Sequence, residues 1–237
     1  MLLYLTEFKM DFVSMTFWVA TAAMLASSIF FFLERFDVSP KWKTSVTVAG
    51  LVTFVAFWHY LYMRGVWVDT GMSPTELRYI DWLITVPLQI VEFYLILAAV
   101  TKVKANLFWQ LLGASLVMLV FGYLGEANIL DMYLAFVIGM LGWLYVIYLV
   151  FFGAAKKLNA ESGNPSSQMA FNAIRIIVLV GWAIYPIGFV LGNFGDLGIE
   201  GVKAMNAIYN LADLVNKTAF GLVIWYAAKK DSEASSS

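Results

Sequence analysis

The stretch Arg78–Tyr94, RYIDWLITVPLQIVEFY, sets three ionisable residues, Arg78, Asp81 and Glu92, inside a long apolar run. Ionisable groups in hydrocarbon are costly and line a bundle interior or an ion path. Asp81 and Glu92 are eleven residues apart, which on a helix is about 1100°, or roughly 20° past a whole number of turns. They therefore share one face, separated by about 16 Å of axial rise. Thr85 follows Asp81 by one turn on nearly the same face. One helix thus presents Arg, Asp, Thr and Glu as a column through much of a bilayer.

The surrounding composition agrees. The chain has 237 residues, of which 62% are hydrophobic and 13% charged, against about 25% charged in an ordinary soluble domain. With a mean hydropathy of +0.79, the sequence reads as an integral membrane protein, all-α, its length suiting one helical bundle over residues 1–237. A net charge of −1 and the lack of a basic patch exclude a nucleic-acid partner. With no Cys, disulfides, thiolate metal sites and Cys nucleophiles are excluded, and a single His leaves no basis for a metal site. The N-terminal MLLYLTEFKM, broken by Glu7 and Lys9, is too short for a signal peptide.

Apolar runs near 20 residues long mark spanning helices. They fall at about 11–36, 42–64, 76–99, 105–125, 129–155, 168–194 and 203–228. Seven spans put the two termini on opposite sides. Lys and Arg set the orientation, because cytoplasmic loops are enriched in them. One side holds Arg35, Lys41, Lys43, Lys102, Lys104, Lys156, Lys157, Lys229 and Lys230, and the other only Lys9, Arg64 and Lys203. The N-terminus is therefore expected outside and the C-terminus in the cytoplasm. Asp81 then lies towards the outside and Glu92 towards the cytoplasm.

The last span contains Asp213 and Lys217 at i and i+4, on one face. Lys217 falls near mid-membrane. Two readings fit this pair. It can be a buried ion pair that fixes helix register. It can also supply a Schiff-base amine, since burial favours the neutral, nucleophilic form of Lys. A protonated Schiff base would need carboxylate counter-ions, and Asp213 and Asp81 are available. The sixth span adds Trp182, Tyr185 and Pro186 in GWAIYPIGF. Each aromatic alone reads as packing or an interface anchor. With Trp82 and Trp143 facing them, they could enclose a long, flat, apolar ligand beside the Lys.

The segments FWHYLYMRGVW, RYIDWLITVPLQIVEFYLILAA, SLVMLVFGYLGEA, GWAIYP and IYNLADLVNKTAFG resemble the microbial rhodopsins, and within them the proteorhodopsins. The similarity extends over all seven spans. It implies a seven-helix transmembrane bundle around all-trans-retinal, held as a Schiff base by Lys217. It further implies Asp81 as proton acceptor, Asp213 as second counter-ion, Arg78 as their extracellular partner and Glu92 as cytoplasmic proton donor. His59 matches the family histidine that bonds the acceptor carboxylate. Trp82, Thr85, Met118, Gly122, Trp143, Trp182, Tyr185, Pro186 and Asp213 match pocket positions, and Gln89 matches a colour-tuning site where Gln accompanies blue absorption.

The implied function is light-driven outward proton transport in a bacterial-type cell membrane, an ion transporter and not an enzyme. Glu92, desolvated among Ile90, Val91 and Phe93, is expected to stay protonated at rest. A sensory rhodopsin is the rival reading, and Glu92 argues against it because family photosensors usually lack a carboxyl donor there. A sodium or chloride pump would replace the Asp81, Thr85 and Glu92 set. The resemblance also implies a ring-shaped homo-oligomer in which Trp18 approaches His59 of a neighbouring copy. From position alone, His59 reads equally as a packing residue. Arg175, inside the sixth span, is expected to snorkel to the cytoplasmic interface.

Overall fold

The computed structural model describes residues 11–195 and 197–234. In hydrocarbon, a chain must satisfy its backbone hydrogen bonds internally, and a helix does so within one segment. The described residues accordingly form helices joined by short turns, with no strand among them. They are α1 (Phe12–Glu34), α2 (Lys43–Thr70), α3 (Thr75–Ala98), α4 (Ala105–Glu126) and α5 (Met132–Phe151), followed by α6 (Ala154–Glu161), α7 (Pro165–Ile176), α8 (Ile184–Asn193) and α9 (Gly198–Ala234). α5 with α6, and α7 with α8, each make one crossing, so the nine helices build seven rods. Six rods are long and apolar enough to span a membrane. The seventh, α9, is less apolar because its inner face carries Asn206, Asn210, Asp213, Asn216 and Lys217, all buried. The chain is a multi-pass membrane protein of seven helices.

α9 packs against α1, α2, α7 and α8, while α3 bridges α2 and α4. α3 and α9 therefore turn their polar columns towards the same interior.

Several features differ from the sequence-based spans. α2 runs to Thr70, six residues beyond the expected end at 64. Trp67 in this extension is buried, and its Nε1 donates to the Asp11 carboxylate at 3.0 Å. Asp11 also caps α1 through the Ser14 amide. The helix stops at Gly71, whose φ of 69° is the left-handed conformation that glycine adopts at little cost. The sixth rod is interrupted by a π-helical segment, Ile177–Gly181, which hydrophobic periodicity does not reveal. α9 extends to Ala234, past the expected end at 228. Its last turns are tied down by Asp231, which accepts from Trp42 Nε1 and Asn164 Nδ2 at 2.7 Å each and pairs with Lys41 at 2.6 Å. Lys9 and the N-terminal decapeptide lie outside the described residues.

Candidate functional site

On α9, Asn206, Asn210, Asp213 and Lys217 fall at i, i+4, i+7 and i+11, one stripe of a helix. On α3, Arg78, Asp81, Thr85, Gln89 and Glu92 form the facing stripe, all of them buried. The two meet at Lys217. Its Nζ lies 2.8 Å from Asp81 Oδ2 and 2.8 Å from Asp213 Oδ2. A buried amine flanked by two carboxylates is the arrangement a cationic centre in hydrocarbon needs.

The two carboxylates are not equivalent. Asp213 accepts from Tyr60 Oη at 2.7 Å, from Tyr185 Oη at 2.6 Å and from Trp82 Nε1 at 3.2 Å, besides Lys217. Such donors hold the charged form of a carboxylate. Asp81 is bound only by Lys217, and its Oδ1 accepts no hydrogen bond from another described group. Asp213 is thus engaged at both oxygens, whereas Asp81 has one oxygen without a donor.

Arg78 is fully buried yet pairs with neither carboxylate. Its Nη2 donates to Asn206 Oδ1 and Asn210 Oδ1 at 3.0 Å each, and its Nη1 to Tyr60 Oη at 3.3 Å. Its link to Asp213 runs through that tyrosine. Arg78, expected as the partner of Asp81 and Asp213, thus meets two amides directly and Asp213 through Tyr60.

His59 Nδ1 lies 3.8 Å from Asp81 Oδ1 but 2.9 Å from Val55 O. The hydrogen bond forms with the carbonyl one turn back, and the expected bond to Asp81 is not made. Arg175 is half-buried and rests over the Phe151 ring at 4.9 Å, so it stacks on the fifth rod.

On the other side of Lys217, Glu92 is 1% exposed and neither carboxyl oxygen has a hydrogen-bond partner. Ser45 of α2 is the polar side chain facing it. Phe93, Phe171 and Phe220 pack nearby in edge-to-face contacts.

A cavity holding, with its mouth, about 790 Å³ of free space runs from Lys217 between α3, α4, α5 and α8. Of the expected pocket residues, Trp82, Gln89, Met118, Gly122, Trp143, Trp182, Tyr185, Pro186 and Asp213 line it. Thr85 does not. Its hydroxyl donates to Asp81 O at 3.0 Å, within its own helix. Gln89 Nε2 is buried without a hydrogen-bond partner, at the cavity wall. The walls are otherwise apolar and aromatic, with Trp82 and Tyr185 edge to face at 5.2 Å. An amine at one end of such a cavity, with its counter-charges in place, fits a long apolar aldehyde.

The π-helical segment serves this cavity. Val178 O accepts from Trp143 Nε1 at 3.1 Å, and Gly181 O accepts from Asn216 Nδ2 at 3.0 Å. A Cβ at Gly181 would collide with the Asn216 side chain. Tethers to α5 and α9 thus position Trp182 and Tyr185.

Sequence reasoning missed Tyr60, Asn206, Asn210 and the pair Tyr79–Glu126, in which Tyr79 Oη donates to Glu126 Oε2 at 3.1 Å. The asparagines were findable, since they continue the Asp213–Lys217 stripe. Tyr60 and Glu126 carry no such local signal.

The Bacteriorhodopsin-like protein family model matches residues 11–231. The blue-light absorbing proteorhodopsin of Gamma-proteobacterium Hot 75m4 is 58% identical over 94% of this chain and 88% of its own length. The green-light absorbing proteorhodopsin of Gamma-proteobacterium EBAC31A08 is 56% identical over the same shares. A crystal structure of blue light-absorbing proteorhodopsin from Med12 is 60% identical, covers 93% of this chain and all of its own, and superposes with a TM-score of 0.81. With a matched body of seven helices and a buried lysine between two carboxylates, this chain belongs to the bacteriorhodopsin-like family of microbial rhodopsins.

Proposed function

We propose that the protein is a light-driven outward proton pump that carries all-trans-retinal on Lys217 and absorbs blue light. The observation that carries the reading is Lys217 Nζ at the cavity end, 2.8 Å from both Asp81 and Asp213. Bound through that amine, retinal supplies light absorption and the isomerisation that displaces the Nζ proton.

The remaining steps belong to the chain's own residues. Asp81 Oδ1, free of competing donors, takes the proton. Asp213, saturated by Tyr60, Tyr185 and Trp82, stays charged and does not compete with Asp81 for the proton. Glu92 holds a proton on the far side of Lys217, in a buried setting where burial disfavours its anion and Ser45 is the polar side chain that faces it. It returns that proton to Nζ. Acceptor and donor lie eleven residues apart on one helix face, about 16 Å along the axis. That separation gives the direction, and the light-driven change in access gives the vectorial step.

Gln89 supports the blue assignment. Its unpartnered amide borders the cavity. A dipole that favours the ground-state charge near Nζ widens the excitation gap and shortens the absorbed wavelength. The loop charges support an N-terminus outside and a C-terminus in the cytoplasm of a bacterial cell membrane. Exposed Trp18, Trp58 and Tyr62 on α1 and α2, beside half-buried His59, support a ring of copies that brings Trp18 to a neighbour's His59.

The test is reconstitution of the purified protein with all-trans-retinal. A visible band is expected for the native chain and none for Lys217→Ala, with helicity by circular dichroism unchanged. A normal band in that variant would refute the linkage.

A further inference from the structure

Arg78 is 0% exposed, and no carboxylate among the described residues lies within ion-pair distance of it. A buried guanidinium without a carboxylate is costly, so its surroundings must hold it by other means. Two of its hydrogen bonds go to the side-chain oxygens of Asn206 and Asn210, one turn apart on α9. Both amides are themselves oriented. Asn210 Nδ2 donates to Thr16 Oγ1 at 2.9 Å on α1, and Asn206 Nδ2 donates to Val202 O at 2.9 Å. With their NH₂ groups engaged elsewhere, only the carbonyl oxygens can face Arg78. The guanidinium also lies over the rings of Tyr209 and Phe17, at 5.2 and 5.5 Å.

We propose that Asn206 and Asn210 are positioning residues that hold Arg78 off Asp81 and Asp213, leaving its positive charge fixed and un-neutralised on the exit side of the proton acceptor. An amide oxygen binds a guanidinium without cancelling its charge, whereas a carboxylate would bind and cancel it. The charge therefore acts on Asp213 through Tyr60, and Asp81 is left to Lys217 alone. The charged and titratable groups around Arg78 are Tyr60 from α2, Asp213 and Tyr209 from α9, and Glu126 from α4. Asp213 and Glu126 could neutralise it, as could Asp81 one turn on along α3, and Tyr60, Tyr79 and Lys217 already occupy the three. The inference rests on the pump reading for its consequence, but its geometry stands without retinal.

The first experiment therefore uses the protein without retinal. Solid-state NMR recoupling between ¹⁵N-labelled Arg78 Nη and side-chain carbonyl carbons should show contact with Asn Cγ and none with Asp Cγ. Contact with Asp Cγ overturns the proposal, whatever the protein does with light. The second is a mutant cycle read by the pH midpoint of the visible acid transition in the dark pigment. In the native background, Arg78→Gln should move the midpoint by about half a unit or less, because the charge acts at a distance. With Asn206→Leu and Asn210→Leu together, the freed guanidinium can pair with a carboxylate, and the same substitution should move it by about one unit or more. Equal shifts in the two backgrounds overturn the proposal. A native protein that binds no retinal sinks the pump reading instead, and leaves the NMR result to decide this one.

Discussion

The halves of the bundle on either side of Lys217 are built from different materials. The half on the Asp81 side is a web of hydrogen bonds, from Asp213 through Tyr60 to Arg78, and on to Asn206, Asn210 and Thr16. The half on the Glu92 side sets that carboxyl, with no hydrogen bond to either oxygen, among Ile90, Phe93, Ile96, Phe171 and Phe220. In the proposed cycle, a proton leaving Asp81 meets polar groups already in place, whereas one returning through Glu92 must cross an apolar seal. The proposed release step can therefore proceed on a nearly rigid frame. The return has to wait for the helices to move, and this half should set the turnover rate.

The largest expected effect comes from removing the one titratable group in the seal. Glu92→Gln should slow recovery of the dark state by about 100-fold at neutral pH, the usual scale for losing a positioned proton donor. The first proton release should remain intact. Flash photolysis with a pH-indicator dye reads both, and unchanged recovery across pH would remove Glu92 from its role.

The polar half can be weakened one bond at a time. Tyr185→Phe deletes the 2.6 Å hydrogen bond to Asp213 Oδ1. A buried carboxylate losing a donor should cost about 1–3 kcal/mol. The measurement is denaturant-induced bleaching against the native pigment, and equal midpoints would show that Asp213 does not depend on that donor.

Gln89 sits between the two halves, at the cavity wall. Gln89→Leu should move the absorption maximum to longer wavelength at alkaline pH, where Asp81 is ionised in both proteins. An unmoved or shorter-wavelength maximum would discard Gln89 as the tuning residue.

The smallest effect lies at the C-terminal end of α9. Burial pushes the Asp231 carboxyl up, but hydrogen bonds from Lys41, Trp42 and Asn164 outweigh it and hold the group below the usual carboxylate range. A folded-state value below the unfolded one means that the stabilisation is present above about pH 4 and is lost as pH falls through the folded value. Asp231→Asn should flatten the acid limb of the stability curve and leave the neutral region lower. Superimposable pH–stability curves would show that this cluster carries no linkage.

The seven spans, the Lys217–Asp213 pair and the Arg78–Glu92 column were legible because a charge in an apolar run stands out and helical spacing assigns its face. The extension of α2 past Gly65 was not, because it depends on Trp67 reaching Asp11 from another helix. Nor was the direct partner of Arg78. The column showed that Arg78 pointed inward, but a tyrosine on α2 and two amides on α9 intercept its donors before either carboxylate does. Thr85 shares the face of Asp81, yet its hydroxyl turns back to its own helix. Face is a property of one helix, whereas contact depends on which neighbour arrives first.

The claim that joins the two halves is net proton movement outward under light. Cells expressing the protein and supplied with retinal should acidify an unbuffered medium on illumination, and a protonophore uncoupler should abolish the change. Lys217→Ala cells should give no signal. No acidification from cells that show the visible band, or alkalinisation in its place, would contradict the account.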